Sequence, residues 1–207
     1  MDDTPPAIRK GRKYDQVVQG AREIFLRDGY ERASVDEIAL QAGVSKATLY
    51  AYFPDKRQLF GEVVRSEFAH HADEVEVMIV DLARVEDVLR VAAHRIIGFM
   101  SSDFGRQTYR MIVAEAENFP QLAEEFYSSG PMMARDRIVT FLRAAVQQGQ
   151  LTIVDFELAA DQFSALCKGG LQERLMLCPK GGPSKDEVSH VIEGAVAMFM
   201  ARYAARH

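Results

Sequence analysis

The chain predicts an all-α fold in two parts, a small N-terminal three-helix unit and a larger helical domain. Three observations carry this. After residue 13 apolar residues recur at helical rather than alternating spacing. A cap residue is followed three positions later by Glu or Gln at Ser34–Glu37, Asp55–Gln58 and Ser184–Glu187, which marks helix starts. Gly29, Gly43, Pro54 and the stretch CPKGGPS punctuate the segments between them. The division that follows is 1–56 for the first domain with its basic arm, 57–83 for a linker helix and 84–207 for the second domain.

At 207 residues, 48% hydrophobic and 27% charged, the chain can bury a real core and has the balance of a globular protein. No apolar run approaches the ~18 residues of a membrane span. The N-terminus MDDTPPAIRKGRK lacks the apolar core of a secretory signal. With only Cys167 and Cys178 there is no disulfide framework, and a cytoplasmic location is expected. The net charge of −5 is unevenly distributed. Arg9, Lys10, Arg12 and Lys13 cluster at one end and Lys46, Lys56 and Arg57 near a second site, while Asp73, Glu74, Glu76, Glu115 and Glu117 lie elsewhere. A basic footprint on an acidic body is compatible with nucleic acid.

Each element has its own reason. A first helix over 13–28 puts Val17, Ala21, Ile24 and Phe25 on one face and ends at Gly29. Ser34 caps a short helix through Ala42 with Val35, Ile38 and Ala39 as its stripe. Gly43 supplies the tight turn, Val44 plugs the inter-helix angle, and Ser45 caps a second short helix over 46–52. A helix this short needs neighbours to brace it and makes sense when it presents polar tips outward. The segment 34–56 therefore reads as a helix-turn-helix. Asp55 starts a longer helix extending toward Val80. Further helices are predicted over 85–102, 104–118, 120–149 (with Pro131 kinking or splitting it), 155–177 and 184–205.

GVSKATLYAYFPDK, with Leu59 and the preceding Ala21, Phe25 and Gly29-Tyr30, resembles the TetR family of bacterial transcriptional regulators. RMIVAEAENFPQLAEEFYSSGP is similar to the ligand domain of the family's AefR-like branch. The resemblance implies a homodimer binding an inverted repeat of double-stranded DNA and a second domain that holds a small-molecule effector. No cofactor is implied.

On the helix-turn-helix reading, Lys46, Ala47 and Thr48 face base edges in a major groove, lysine donating to guanine and the methyls packing on thymine. Tyr50, Tyr52 and Lys56 are expected at phosphates. Ser34 and Ser45 either present hydroxyls to phosphate or act as caps alone. Arg9, Lys10, Arg12 and Lys13 either enter a minor groove or form a solvated tail. The last two helices are strongly apolar: Phe163, Leu166, Val191, Ile192, Ala195 and Phe199 form either an intramolecular core or, as the resemblance implies, a dimer interface. His94, Phe99, Met111, Glu115, Phe126, Tyr127, Phe163 and Gln172 are candidate effector contacts, each equally readable as core or surface.

Rival functions have thinner support. Glu67–His70 and Glu187–His190 have the i, i+3 spacing of a di-metal helical bundle, but two more inward carboxylates would be needed. A thiol switch between Cys167 and Cys178 would span ~16 Å on one helix. A helix-turn-helix regulator that is constitutive, or that answers to a protein, is the remaining alternative.

Overall fold

The structure is a computed structural model describing residues 11–70, 84–178 and 181–205. The described residues are helical, with one isolated antiparallel bridge between Leu151 and Ala204. The helices are α1 (Arg12–Arg32), α2 (Val35–Gln41), α3 (Lys46–Tyr52), α4 (Lys56–His70), α5 (Val85–Ser101), α6 (Asp103–Glu115), α7 (Pro120–Tyr127), α8 (Met133–Gln147), α9 (Phe156–Lys168), α10 (Leu171–Leu177) and α11 (Lys185–Tyr203). Among the described residues no helix is long and apolar enough to cross a membrane. The continuation of α4 toward Val80, and Arg9 and Lys10 of the arm, lie outside the described residues.

Contacts divide the chain into two compact units: 1–66 with 111–129, and 67–110 with 130–207. The first unit thus includes a segment distant in sequence from its helix-turn-helix. Its core contains Val17, Ala21, Ile24, Phe25, Ile38, Leu49, Leu59, Phe60, Val63 and Val64, all buried. Aromatic rings knit it together: Phe60 meets Phe25 at 5.4 Å and Tyr30 at 5.5 Å, and Phe119 reaches Tyr30 at 6.1 Å. The backbone N–H of Tyr30 also donates to the Met111 sulfur at 2.9 Å. α1 runs one turn further than the sequence predicts, but Gly29 at φ 79° interrupts it where its end was expected.

The second unit is built on α5, α8, α9, α10 and α11, around Leu89, Ala93, Ile97, Leu142, Ala159, Phe163, Ile192 and Phe199. Several of its helix ends are satisfied by side chains. Asp155 accepts the Leu158 N–H at 2.9 Å, and Ser184 with Glu187 forms the complete capping box. Arg110 donates to the carbonyls of Leu175 and Met176 at the end of α10, at 2.7 and 3.0 Å. The helix expected over 120–149 splits at a wide π-type turn, Ser128–Met132, that contains Pro131. The single helix expected over 155–177 is instead two, because Gly170 adopts φ 71° and breaks it after Lys168. Cys167 and Cys178 are therefore not on one helix, and no single-helix rise separates them. Cys167 is in the core and burial pushes its thiol up to about 12, whereas Cys178 is exposed.

Candidate nucleic-acid interface

The helix-turn-helix is held by local chemistry before it is held by packing. α2 closes with a full Schellman arrangement: Val44 N–H donates to Ala39 O and Gly43 N–H to Leu40 O, both at 3.0 Å, with Gly43 at φ 64°. α3 opens on Ser45, whose Oγ accepts the Thr48 N–H at 3.1 Å and lies 2.9 Å from the Thr48 hydroxyl. Gly20 lets α1 approach the turn directly. A Cβ placed there would lie 2.9 Å from Ala42 N and 3.0 Å from Ala42 Cβ.

These constraints orient α3. Leu49 is 1% exposed, and the Tyr52 ring packs edge-on against Tyr14 at 5.6 Å. Lys46, Ala47, Tyr50 and Ala51 form the outward face, with Tyr50 49% exposed. Ala51, one turn beyond Ala47, belongs to this face and is an addition to the residues expected from sequence; the i, i+4 spacing was the available signal. Lys46 is paired across the turn with the Asp36 carboxylate of α2. Arg12 and Lys13 are exposed on the first turn of α1.

Two expected phosphate contacts read differently in the structure. The Lys56 ammonium donates to the carbonyls of Tyr30, Glu31 and Ala33 at 2.8, 3.0 and 3.1 Å, and sits 4.6 Å from the Tyr30 ring centroid. All three of its protons are engaged, so Lys56 clamps the α1–α2 connection. Burial holds this ammonium below the usual lysine range. Ser34 Oγ accepts the Glu37 N–H and donates to the Glu37 carboxylate, each at 3.1 Å, which leaves it a cap. Tyr14, beneath Tyr52, has its phenol pushed well above the usual range by burial and by a hydrogen bond with the Glu62 carboxylate.

The residues expected to contact an effector line neither of two cavities found among the described residues. A cleft of about 470 Å³ in the first unit is lined by Tyr14, Tyr52, Phe53, Arg57, Gln58, Glu62, Arg65 and Glu125. A space of about 60 Å³ in the second unit is lined by Arg84, Val85, Val88, Phe141, Ala144, Ala145, Gln148 and Gln150. None of the eight expected residues lines either. Phe163 is fully buried against Phe199 at 5.4 Å, Phe126 is buried, and His94 and Tyr127 face solvent. Phe99, Met111, Glu115 and Gln172 are half-buried.

Of the six residues read as either core or dimer interface, four belong to the core. Phe163, Ile192, Ala195 and Phe199 are no more than 3% exposed within one chain, so their side chains form its own core. Leu166 and Val191 are half-buried against that core. Of the metal pairs, Glu187 is engaged by Arg174 and by the Ser184 N–H, His190 is exposed, and the His70 side chain lies outside the described residues. Among the described residues no group of three potential ligands gathers.

Comparison with known proteins accords with this geometry. A family described as "AefR-like transcriptional repressor, C-terminal domain" matches residues 87–205, more than half the chain, and "Bacterial regulatory proteins, tetR family" matches residues 17–63. A TetR-family regulator from Mesorhizobium loti MAFF303099 superposes with a TM-score of 0.80 at 28% identity, covering 96% of this chain and 100% of that one. The Flavonoid-responsive Regulator FrrA is 32% identical, with a TM-score of 0.74 over 96% of this chain and 100% of that one. The Fatty acid metabolism regulator protein of Bacillus subtilis is 26% identical over 95 residues, 46% of this chain, so this chain spans about half (49%) of that relative. Regulators of this family bind DNA and dimerise. A capped and braced recognition helix on the matched N-terminal segment, joined to the matched C-terminal domain, places the chain in the TetR family with an AefR-like C-terminal domain, as a DNA-binding transcriptional regulator.

Proposed function

We propose that this regulator is a homodimeric repressor that occupies an inverted-repeat operator and leaves it when a small, largely apolar effector binds the AefR-like domain. The observation that carries the DNA half is the outward face of α3, where Lys46, Ala47, Tyr50 and Ala51 are exposed while Leu49 and Phe53 anchor the helix from behind. A two-fold protein presents two such helices to half-sites about one helical turn or a multiple apart. The dimer surface we assign is the exposed stripe of small and apolar residues on α9 and α11: Leu158 and Ala165 with Gly194, Ala197, Met198 and Ala201. These fall at helical spacing on one side of each helix, and the small ones admit close backbone approach.

The effector half is supported by the likeness to FrrA, a flavonoid-responsive protein, and by the aromatic and methionine content of the matched domain. An effector favouring the DNA-free state by ~1–3 kcal/mol lowers operator affinity ~5–150-fold, which suffices for induction.

The test is selection of random duplex DNA on the purified protein at ~0.15 M salt, where non-specific attraction is suppressed. Enrichment of an inverted repeat is expected. Folded, dimeric protein that enriches nothing would refute the operator reading. Thermal stabilisation by flavonoids and fatty-acyl compounds, with loss of operator binding, then tests the effector.

A further inference from the structure

We infer that Asp36 is a specificity-determining residue of the DNA-binding site, acting as an internal competitor for the ammonium of Lys46. The inference rests on the DNA-binding face described above and extends it to a residue outside the recognition helix.

Lys46 is the first residue of α3. A cation there is disfavoured by the helix itself, whose unsatisfied N–H groups carry partial positive charge. Nothing at the cap or in the first turn of α3 offsets this, since Ser45 is neutral and that turn holds no acid. The counter-charge comes from α2: the Asp36 carboxylate is paired with Lys46. Glu37, the other acid in the first turn of α2, is already shared by Arg27 at 3.4 Å and by the Ser34 hydroxyl at 3.1 Å. Asp36 alone of the two is assigned to Lys46.

Both partners of the pair are mostly exposed, 59% for Lys46 and 62% for Asp36. Water screens such a pair, so an acceptor of good geometry can displace the carboxylate. Guanine offers one, with O6 and N7 converging in the major groove. A lone phosphate oxygen at arbitrary register is a poorer replacement. Its approach is also opposed by the Asp36 charge. On non-specific DNA, Lys46 therefore stays with Asp36 and neutralises no phosphate. On the operator it leaves Asp36 for a base. Asp36 thus lowers background binding more than it lowers operator binding, and specificity is the ratio of the two.

The experiment compares the full chain with Asp36→Asn, Asp36→Glu, Lys46→Ala and the Asp36→Asn/Lys46→Ala double variant. The probes are the operator found by selection and a random duplex of equal length, titrated with salt. In Asp36→Asn the freed lysine is expected to join the phosphates. Each protomer then adds ~0.9 to the salt slope on random DNA, which tightens binding about fivefold per protomer at 0.15 M salt. Operator affinity changes less, so the specificity ratio falls, and Asp36→Glu restores it. In the Lys46→Ala background the Asp36→Asn change has no effect on the ratio.

An unchanged ratio and slope in Asp36→Asn, with wild-type protein selecting its operator normally, would overturn the inference while leaving the DNA-binding reading intact. Wild-type protein that selects no operator would instead strike at the reading beneath it. A fall in thermal midpoint with no change in the ratio would make Asp36 a helix-stabilising residue only, and would equally overturn the proposal.

Discussion

Lys56 separates two accounts of the same charge, one in which it touches DNA and one in which it holds the protein together. The perturbation is Lys56→Met, which keeps the aliphatic stem beside Tyr30 and removes the ammonium. Three hydrogen bonds of 2.8–3.1 Å to Tyr30, Glu31 and Ala33 are lost. A charged hydrogen bond contributes ~1.5–3 kcal/mol, but the three share one ammonium, so the total is about 2–3 kcal/mol. For a chain of this size that lowers the melting midpoint by about 4–12 °C. Calorimetry or circular dichroism reads the midpoint, and fluorescence anisotropy against salt reads the DNA side. If Lys56 is a clamp, the salt slope of Lys56→Met stays at the wild-type value. If it is a phosphate contact, a dimer loses two and the slope becomes shallower by about 1.8. An unchanged midpoint together with that shallower slope would refute the clamp.

Three further outcomes are expected. Gly20→Val drives a branched side chain into Ala42, whose N and Cβ would lie 2.9 and 3.0 Å from the new Cβ; overpacking of this kind costs ~1–3 kcal/mol, and an undiminished midpoint would show that α1 does not pack on the turn. Native protein should yield one fast-reacting thiol per chain with an aromatic disulfide reagent at pH 8, from Cys178, while Cys167, raised to about 12 and buried, reacts only on unfolding. Tyr14 keeps its proton in the folded state above the ordinary tyrosine value of 10.0, so its stabilising contribution is complete below that pH and is lost as pH rises beyond it, when only the unfolded chain ionises. Tyr14→Phe should remove that part of the alkaline fall in denaturant midpoint; an identical pH profile in the variant would exclude Tyr14 as its source.

What could be read from the sequence was what depends on a few neighbouring residues. Ser45 before 46–52, Asp155 before α9 and the Ser184–Glu187 box are one-turn interactions, and the structure forms each where the residues stand. The helix-turn-helix was legible because a cap, a left-handed glycine and a second cap follow one another within twelve residues, Ser34 to Ser45. The break in 155–177 was harder, because two adjacent glycines are compatible with either a weak helix interior or a left-handed turn. Packing of Leu171 and Leu175 into the core selects the turn.

The sequence by itself determined the helical class, the caps and the outward place of Lys46, Ala47 and Tyr50 on α3, since these follow from 3.6-residue periodicity and from hydrogen bonds closed within a turn. Only the tertiary structure decided which partner each long-range group meets. Phe163, Ile192 and Phe199 lie on helices apolar over so much of their surface that periodicity cannot say which face is turned inward, and packing assigns them to one chain's core. Lys56 reaches carbonyls 23–26 residues earlier, and Lys46 reaches Asp36 across a turn. A charged side chain carries no mark in sequence of whether its partner is a phosphate, a carboxylate or a backbone carbonyl, because all three are oxygen acceptors and only folding sets which comes within reach.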